Sequence, residues 1–132
     1  MVTEGPLSPA ELAELESTLL PALERHHLRL LAHGLRTLQA IATAHGSQRD
    51  SDKLPDRAAI RAWAANQPQI AQDSAFIDLL SDQLESAGRQ LAQLAAERGL
   101  PPLELELRDL TAWATTQANQ RIAIIGAANL PP

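Results

Sequence analysis

The histidines are the residues of this chain best suited to chemistry, because imidazole titrates near neutral pH and binds transition metals. The surrounding pattern places all of them on one predicted helix: His26, His27, His33 and His45. Two metal ligands on a single helix need a spacing of three or four residues, and no pair of these histidines has that spacing. The sequence therefore predicts neither a metal site nor a cofactor.

His27 and Glu24 form a candidate buried polar site. They are three residues apart and share a helical face, and His27 lies in the middle of an apolar stripe. A buried imidazole beside a carboxylate could transfer protons, which would make the protein an enzyme. Alternatively, this is a core or interface histidine that Glu24 or a backbone carbonyl satisfies. No nucleophile or second acid is recognisable beside the pair, so the sequence favours a protein that is not an enzyme and names no catalytic residue.

A basic ridge on the opposite side of the same helix is a candidate interaction surface. Its members are Arg25, Arg29, Arg36, His26 and His33. Such a ridge could bind the phosphates of a nucleic acid. It could also pair with acidic residues of a neighbouring helix, such as Glu11, Glu14 and Glu16. The net charge of −5 and the aromatic content of 2% argue against a nucleic-acid binder, which is normally basic and stacks bases on aromatic rings.

The helix that positions these residues is predicted from Pro21 to His45. Its apolar stripe consists of Leu20, Leu23, His27, Leu30, Leu31, Gly34, Leu38, Ile41 and His45. An earlier helix begins at Ser8, where Pro9 and Glu11 complete the pattern of a capping box. Pro21 either kinks one long helix or separates two helices, because proline removes a backbone hydrogen bond.

Three further helices are predicted in the second half of the chain. A short one runs from Pro55 or Asp56 to near Gln67, a long one from Asp73 or Ser74 to Gly99, and the last from Arg108 to Ile125. The long helix carries a seam at steps of three and four: Ile77, Leu80, Leu84, Ala87, Leu91 and Leu94. Residues 103–107 alternate leucine and glutamate, and we expect a connector or a helix start there, since an isolated strand would be unpaired.

Together these elements predict an all-α protein, a compact bundle of four to five helices with short loops broken by proline and glycine. We expect a single helical domain over residues 1–132, with flexible ends at about 1–7 and 126–132. Gly34 lies on the apolar stripe and Ala87 on the seam, and small residues at such places let two helices approach closely. Gly34→Leu or Ala87→Leu is therefore expected to overpack a helix crossing.

Composition restricts the cellular setting. The chain contains no cysteine and no apolar run of roughly 20 residues, and its N-terminus lacks the pattern of a signal peptide. We therefore expect a cytoplasmic protein that does not enter a membrane. Lys53 is the only lysine beside many arginines, which is typical of a GC-rich bacterial genome.

The favoured functional hypothesis is a small helical protein-interaction module: an adaptor, assembly factor or regulator. The apolar stripe of the second helix and the seam of the long helix each need another helix to cover them, so we expect protein partners. Pairing of one such face in a homodimer is a common solution. Two alternatives stay open. One is an enzyme using His27 with Glu24, and the other is a nucleic-acid-associated regulator using the basic ridge.

Overall fold

The computed structural model describes residues 7–44 and 54–128, with side chains placed as far as Ile125. This part of the chain contains α-helices and one 3₁₀ turn, and no β-strand. The helices are α1 (Pro9–Glu16), α2 (Ala22–Ala44), α3 (Arg57–Ala65), α4 (Ser74–Arg98) and α5 (Leu107–Ala128), and the 3₁₀ turn spans Pro102–Glu104. The predicted all-α bundle is confirmed. Within the described ranges, no helix is both long and apolar enough to cross a membrane.

Helix α1 begins with the capping box that the sequence predicts. The Ser8 hydroxyl accepts a hydrogen bond from the Glu11 backbone N–H, and the Glu11 carboxylate accepts one from the Ser8 N–H. The helix ends at Glu16, and an irregular segment leads to Pro21, whose carbonyl accepts from the Arg25 N–H at 2.9 Å. Of the two alternatives at Pro21, the structure therefore has two separate helices rather than one kinked helix.

Helix α2 is the centre of the bundle, because α1, α3, α4 and α5 all pack against it. Its buried face is nearly solvent-free at Leu28, Leu35 and Ile41. Helix α5 runs antiparallel to α2: the side-chain amide of Gln39, near the end of α2, donates to the Leu103 carbonyl just before α5 begins. At the other end of both helices, Arg121 of α5 forms an ion pair with Glu24 of α2.

Helix α3 packs antiparallel on α4 and is fixed there by ion pairs. The guanidinium of Arg57 donates to Asp82 at 2.8 Å and to Glu85 at 2.6 Å, and Arg61 donates to Asp78 one turn further along. The hydrogen bonds that Arg57 donates to Asp82 and Glu85 raise the pKa of Arg57, and the bond from Arg61 lowers the pKa of Asp78. The acidic side of α4 is thus turned toward α3.

The connection between α4 and α5 explains the alternating leucines. Gly99 closes α4 with φ 69°, in the left-handed region that favours glycine, and the 3₁₀ turn follows. Leu103, Leu105 and Leu107 are all buried, while the glutamates between them are exposed. The segment is a connector that inserts alternate side chains into the core, as expected, and it leads into α5 at Leu107, one residue before the predicted start.

The chain ends differ from the expectation at both boundaries. Leu7, assigned to a flexible end by the sequence, is 5% exposed and belongs to the hydrophobic core. Helix α5 continues through 126–128, which the sequence assigned to a flexible tail. The predictions for residues 1–6, His45 and 129–132 fall outside the described residues.

Candidate interaction groove

Helices α2 and α4 cross with almost no space between their backbones. A Cβ atom built on Gly34 would lie 2.9 Å from the Cβ of Ala87, closer than real Cβ contacts. On the same side of α4, a Cβ on Gly88 would meet the Leu54 side chain at 3.3 Å. The predicted close approach at Gly34 and Ala87 is therefore present, and it requires glycine on the α2 side.

An open groove lies along this crossing, with a volume of about 600 Å³ and a mostly apolar lining. We call it the α2–α4 groove. Helix α2 contributes one wall, helix α4 contributes the other, and Trp113 of α5 closes one side. The principal lining residues are His27, Leu30, His33, Leu80, Gln83 and Gln90.

Exposed leucines extend the apolar surface of this groove. The Leu30 side chain, which lines the α2 wall, is 56% exposed, and Leu23, two turns earlier on the same face, is 47% exposed. Leu79 on α4 is 52% exposed. Leu23 and Leu79 do not line the groove themselves, but exposed apolar side chains next to an apolar groove are typical of interaction surfaces.

His27 is exposed and lines the groove, so the candidate buried polar site does not extend to His27. The buried face of α2 is rotated from the predicted stripe and contains Leu28 and Leu35, whereas Leu23 and Leu30 lie outside it. The predicted stripe therefore combines core residues, namely Leu31, Gly34, Leu38 and Ile41, with residues of the groove wall such as His27 and Leu30. Leucines occur on all sides of α2, so periodicity alone does not locate the buried face.

Glu24 is buried as predicted, at 4% exposure, but its partner is Arg121 of α5. The guanidinium donates from Nε and Nη2 to the two carboxylate oxygens at 2.6 and 2.7 Å, a bidentate pair. The hydrogen bond from Arg121 lowers the pKa of Glu24, and nearby His27 adds a smaller effect in the same direction. A carboxylate held in this way is a poor proton acceptor, so the acid–base pair that the enzyme hypothesis needs is not assembled.

The basic ridge is largely neutralised by α1. Arg36 donates to Glu11 at 2.7 and 3.1 Å, and Arg29 pairs with Glu16. The pKa of Glu11 is lowered, first by the Ser8 backbone N–H and then by Arg36. The structure therefore shows the pairing with a neighbouring acidic helix that the sequence left as an alternative to phosphate binding.

The remaining members of the ridge are Arg25, His26 and His33. His26 is exposed, with its ring 6.2 Å from that of His27, and Arg25 is half-buried. His33 is exposed on the groove rim. Of the five ridge residues, only His33 lines the groove, and no group of three or more His, Asp or Glu side chains in the described part of the chain could hold a metal ion.

A second groove, between α4 and α5, is chemically different. It has a volume of about 610 Å³ and a polar lining dominated by glutamine side chains, namely Gln90, Gln93, Gln117 and Gln120. Trp113 and Gln90 line both grooves, so the half-buried indole separates the apolar groove from the polar one.

Sequence reasoning missed two residues that organise this region. Arg121 pairs with Glu24 across 97 positions of chain, and no local pattern links the two residues. Trp113 packs on the core and also lines both grooves. In the sequence, the glutamines that follow Trp113 were the only sign that one side of its indole faces polar residues.

Comparisons with known proteins identify the family. A search of curated proteins and a search of solved structures found no match. A family model does match, over residues 7–121, which include α1 to α4 and α5 as far as Arg121. The family is described as NDH complex assembly factor CRR9. Because the match covers most of the sequence, the chain belongs to the NDH complex assembly factor CRR9 family.

Proposed function

We propose that this protein acts as an assembly factor by binding a protein subunit of an NDH complex in the α2–α4 groove. The family supports the assembly role, and such a role requires protein partners. The observation that carries the choice of site is the mostly apolar groove of about 600 Å³, in which Leu30 is 56% exposed. The groove lies entirely within residues 7–121, the span that matches the family model.

The mechanism is burial of apolar surface that neither partner can cover alone. Removing apolar area from water contributes about 25 cal/mol per Å². A subunit that has not yet met its neighbours exposes the apolar segments that the finished complex will bury. By covering one such segment, the groove prevents its aggregation until the correct neighbour displaces the assembly factor.

The groove is preorganised for this task because its walls do not depend on the partner. The close contact at Gly34 and Ala87 fixes α2 against α4, and the Glu24–Arg121 pair fixes α2 against α5. A rigid groove loses little conformational entropy on binding, which favours affinity from a small contact area.

A second copy of this chain is the competing occupant of the same groove, as the homodimer expected from the sequence would require. Sedimentation of the purified protein at micromolar concentration distinguishes the two. A mass of 14.2 kDa would show a monomer, whose groove is available to another protein. A dimer of twice that mass that dissociates in the Leu30→Glu variant would assign the groove to self-association.

The proposal is tested by purifying the tagged protein from its source cells and identifying what accompanies it. We expect subunits of an NDH complex with the wild type and a loss of about tenfold or more with Leu30→Glu, which puts a charge in the groove. Leu12→Glu is the matched control, because Leu12 is exposed on α1, away from the groove. Recovery of the same subunits with Leu30→Glu would contradict the proposal.

A further inference from the structure

We infer that the ligand of the α2–α4 groove is an amphipathic helix whose flanks carry carboxylates, that is, an acidic helical segment of a protein. This inference rests on the proposed function, since it specifies the chemistry of the partner at the same site. It depends on the shape of the groove, on the donors along its rim and on the placement of the surrounding charges.

The shape fits a helix. The α2 wall extends over eleven residues from His27 to Thr37, a rise of about 15 Å, which corresponds to about three helical turns. Two helices form the walls, and leucines of both point into the groove. An apolar channel between two helices is the arrangement that binds the apolar face of a third, with side chains three and four residues apart as anchors.

The rim offers hydrogen-bond donors without a fixed negative charge. On the α2 side these are the imidazoles of His27 and His33, and on the α4 side the side-chain amides of Gln83 and Gln90. Among the residues that the structure describes, the groove lining contains no Asp, Glu, Lys or Arg. An imidazole and an amide both donate N–H groups to a carboxylate, and a protonated imidazole adds charge.

In residues 7–44 and 54–128, four carboxylates on the two helices that form the groove are already paired elsewhere. Glu24, one turn before His27, accepts two hydrogen bonds from Arg121. On α4, Asp78, Asp82 and Glu85 are bound by the arginines of α3, on the other side of that helix. Among the described residues, a helix bearing lysines would therefore meet no carboxylate in the groove lining, whereas one bearing glutamates would find donors on both sides.

This local preference opposes the charge of the whole protein. With a net charge of −5, long-range attraction would favour a basic partner. Near-physiological salt screens charges farther apart than about 8 Å, so at that salt the rim contacts decide the preference. The inference therefore predicts an outcome opposite to the one that net charge alone predicts.

Three labelled synthetic peptides test the preference by fluorescence anisotropy at 150 mM salt. They share one leucine pattern for a three-turn amphipathic helix and carry glutamate, glutamine or lysine at the flanking positions. We expect the glutamate peptide to bind about tenfold more tightly than the lysine peptide, with the glutamine peptide between them. In the His27→Gln/His33→Gln double variant, the ratio should fall to about threefold or less. Leu30→Gln, which removes apolar surface without adding a charge, should weaken all three peptides.

Equal or tighter binding of the lysine peptide would overturn the inference, as would a glutamate preference that survives unchanged in the double variant. Failure of all three peptides to bind would also overturn it. In each of these cases, recovery of NDH-complex subunits could still depend on Leu30, and the proposed function would stand. Conversely, the peptides could show the expected selectivity while recovery of NDH-complex subunits does not depend on Leu30. That result would support the inferred ligand chemistry and contradict the proposed assembly role.

Discussion

Gly34 and Ala87 are in contact where α2 crosses α4, and a Cβ on Gly34 would lie 2.9 Å from the Cβ of Ala87. A Cβ is fixed rigidly to the backbone. Ala87 and any residue larger than glycine at position 34 could therefore separate their Cβ atoms only if one helix backbone moved. The contact therefore sets the distance between the two walls of the groove. It also explains a glycine in the interior of α2, where alanine would favour the helix by about 1 kcal/mol.

Gly34→Ala is expected to destabilise the protein by about 1–2 kcal/mol, although alanine is the better helix former. The reason is that overpacking costs about 1–3 kcal/mol in a close crossing and exceeds the gain in helix propensity. Gly34→Leu should cost more, about 2–3 kcal/mol. Urea unfolding followed by circular dichroism measures both differences.

The double variant Gly34→Ala/Ala87→Gly provides the control. It removes the opposing Cβ, so its loss of stability should be smaller than the sum of the two single losses by about 1 kcal/mol. Strict additivity would show that the two residues do not limit the approach of the helices.

Glu24→Gln is expected to lower stability at neutral pH, because the buried bidentate pair with Arg121 loses its charge. The folded-state pKa of Glu24 lies below its ordinary value of 4.5. A lowered pKa stabilises the folded state above the unfolded-state pKa, and that stabilisation is lost as pH falls through the folded-state pKa. The stability difference between wild type and variant should therefore be constant from pH 7 to 6 and shrink as pH falls below 4.5.

Denaturant unfolding at a series of pH values follows this difference. Glu14→Gln is the matched comparison, since Glu14 is an exposed carboxylate on α1. We expect this control to differ little from wild type at every pH. A Glu24→Gln penalty that stays unchanged down to pH 3 would show that ionisation of Glu24 does not contribute to stability.

Gly99→Ala is expected to destabilise the protein by about 1 kcal/mol through backbone conformation alone. Gly99 ends α4 with φ 69°, and a Cβ there would meet nothing within 4 Å, so a steric clash plays no part. Gly99→Asn should cost less, because asparagine tolerates the left-handed region better. Thermal melting that ranks alanine above asparagine in stability would be inconsistent with this explanation.

Much of the fold could be predicted because its signals are local. The capping box at Ser8, the stop at Gly99 and the seam from Ile77 to Leu94 each lie within one helix, and each is present in the structure. The small residues at the α2–α4 crossing were also recognisable, since glycine in mid-helix is costly without a packing reason.

The candidate site was less predictable because it depends on the rotation of α2 and on distant contacts. Leu28 and Leu30 have the same side chain, yet one is fully buried and the other is 56% exposed, and only the neighbouring helices decide which. For the same reason the sequence included His27 in a candidate buried polar site, although its side chain is exposed. The partner of Glu24 is Arg121 on α5. Spacing along the chain could suggest only His27, which is three residues away.

Site-specific crosslinking tests the central claim, that the α2–α4 groove binds a subunit of an NDH complex, most directly. The chain contains no cysteine, so Gln83→Cys places a single thiol in the groove for a photoreactive label, and Ala62→Cys places one on the exposed surface of α3. In source-cell extract, we predict a crosslink to an NDH-complex subunit from position 83 and none from position 62. Equal crosslinking from both positions, or crosslinking from position 62 alone, would contradict the account.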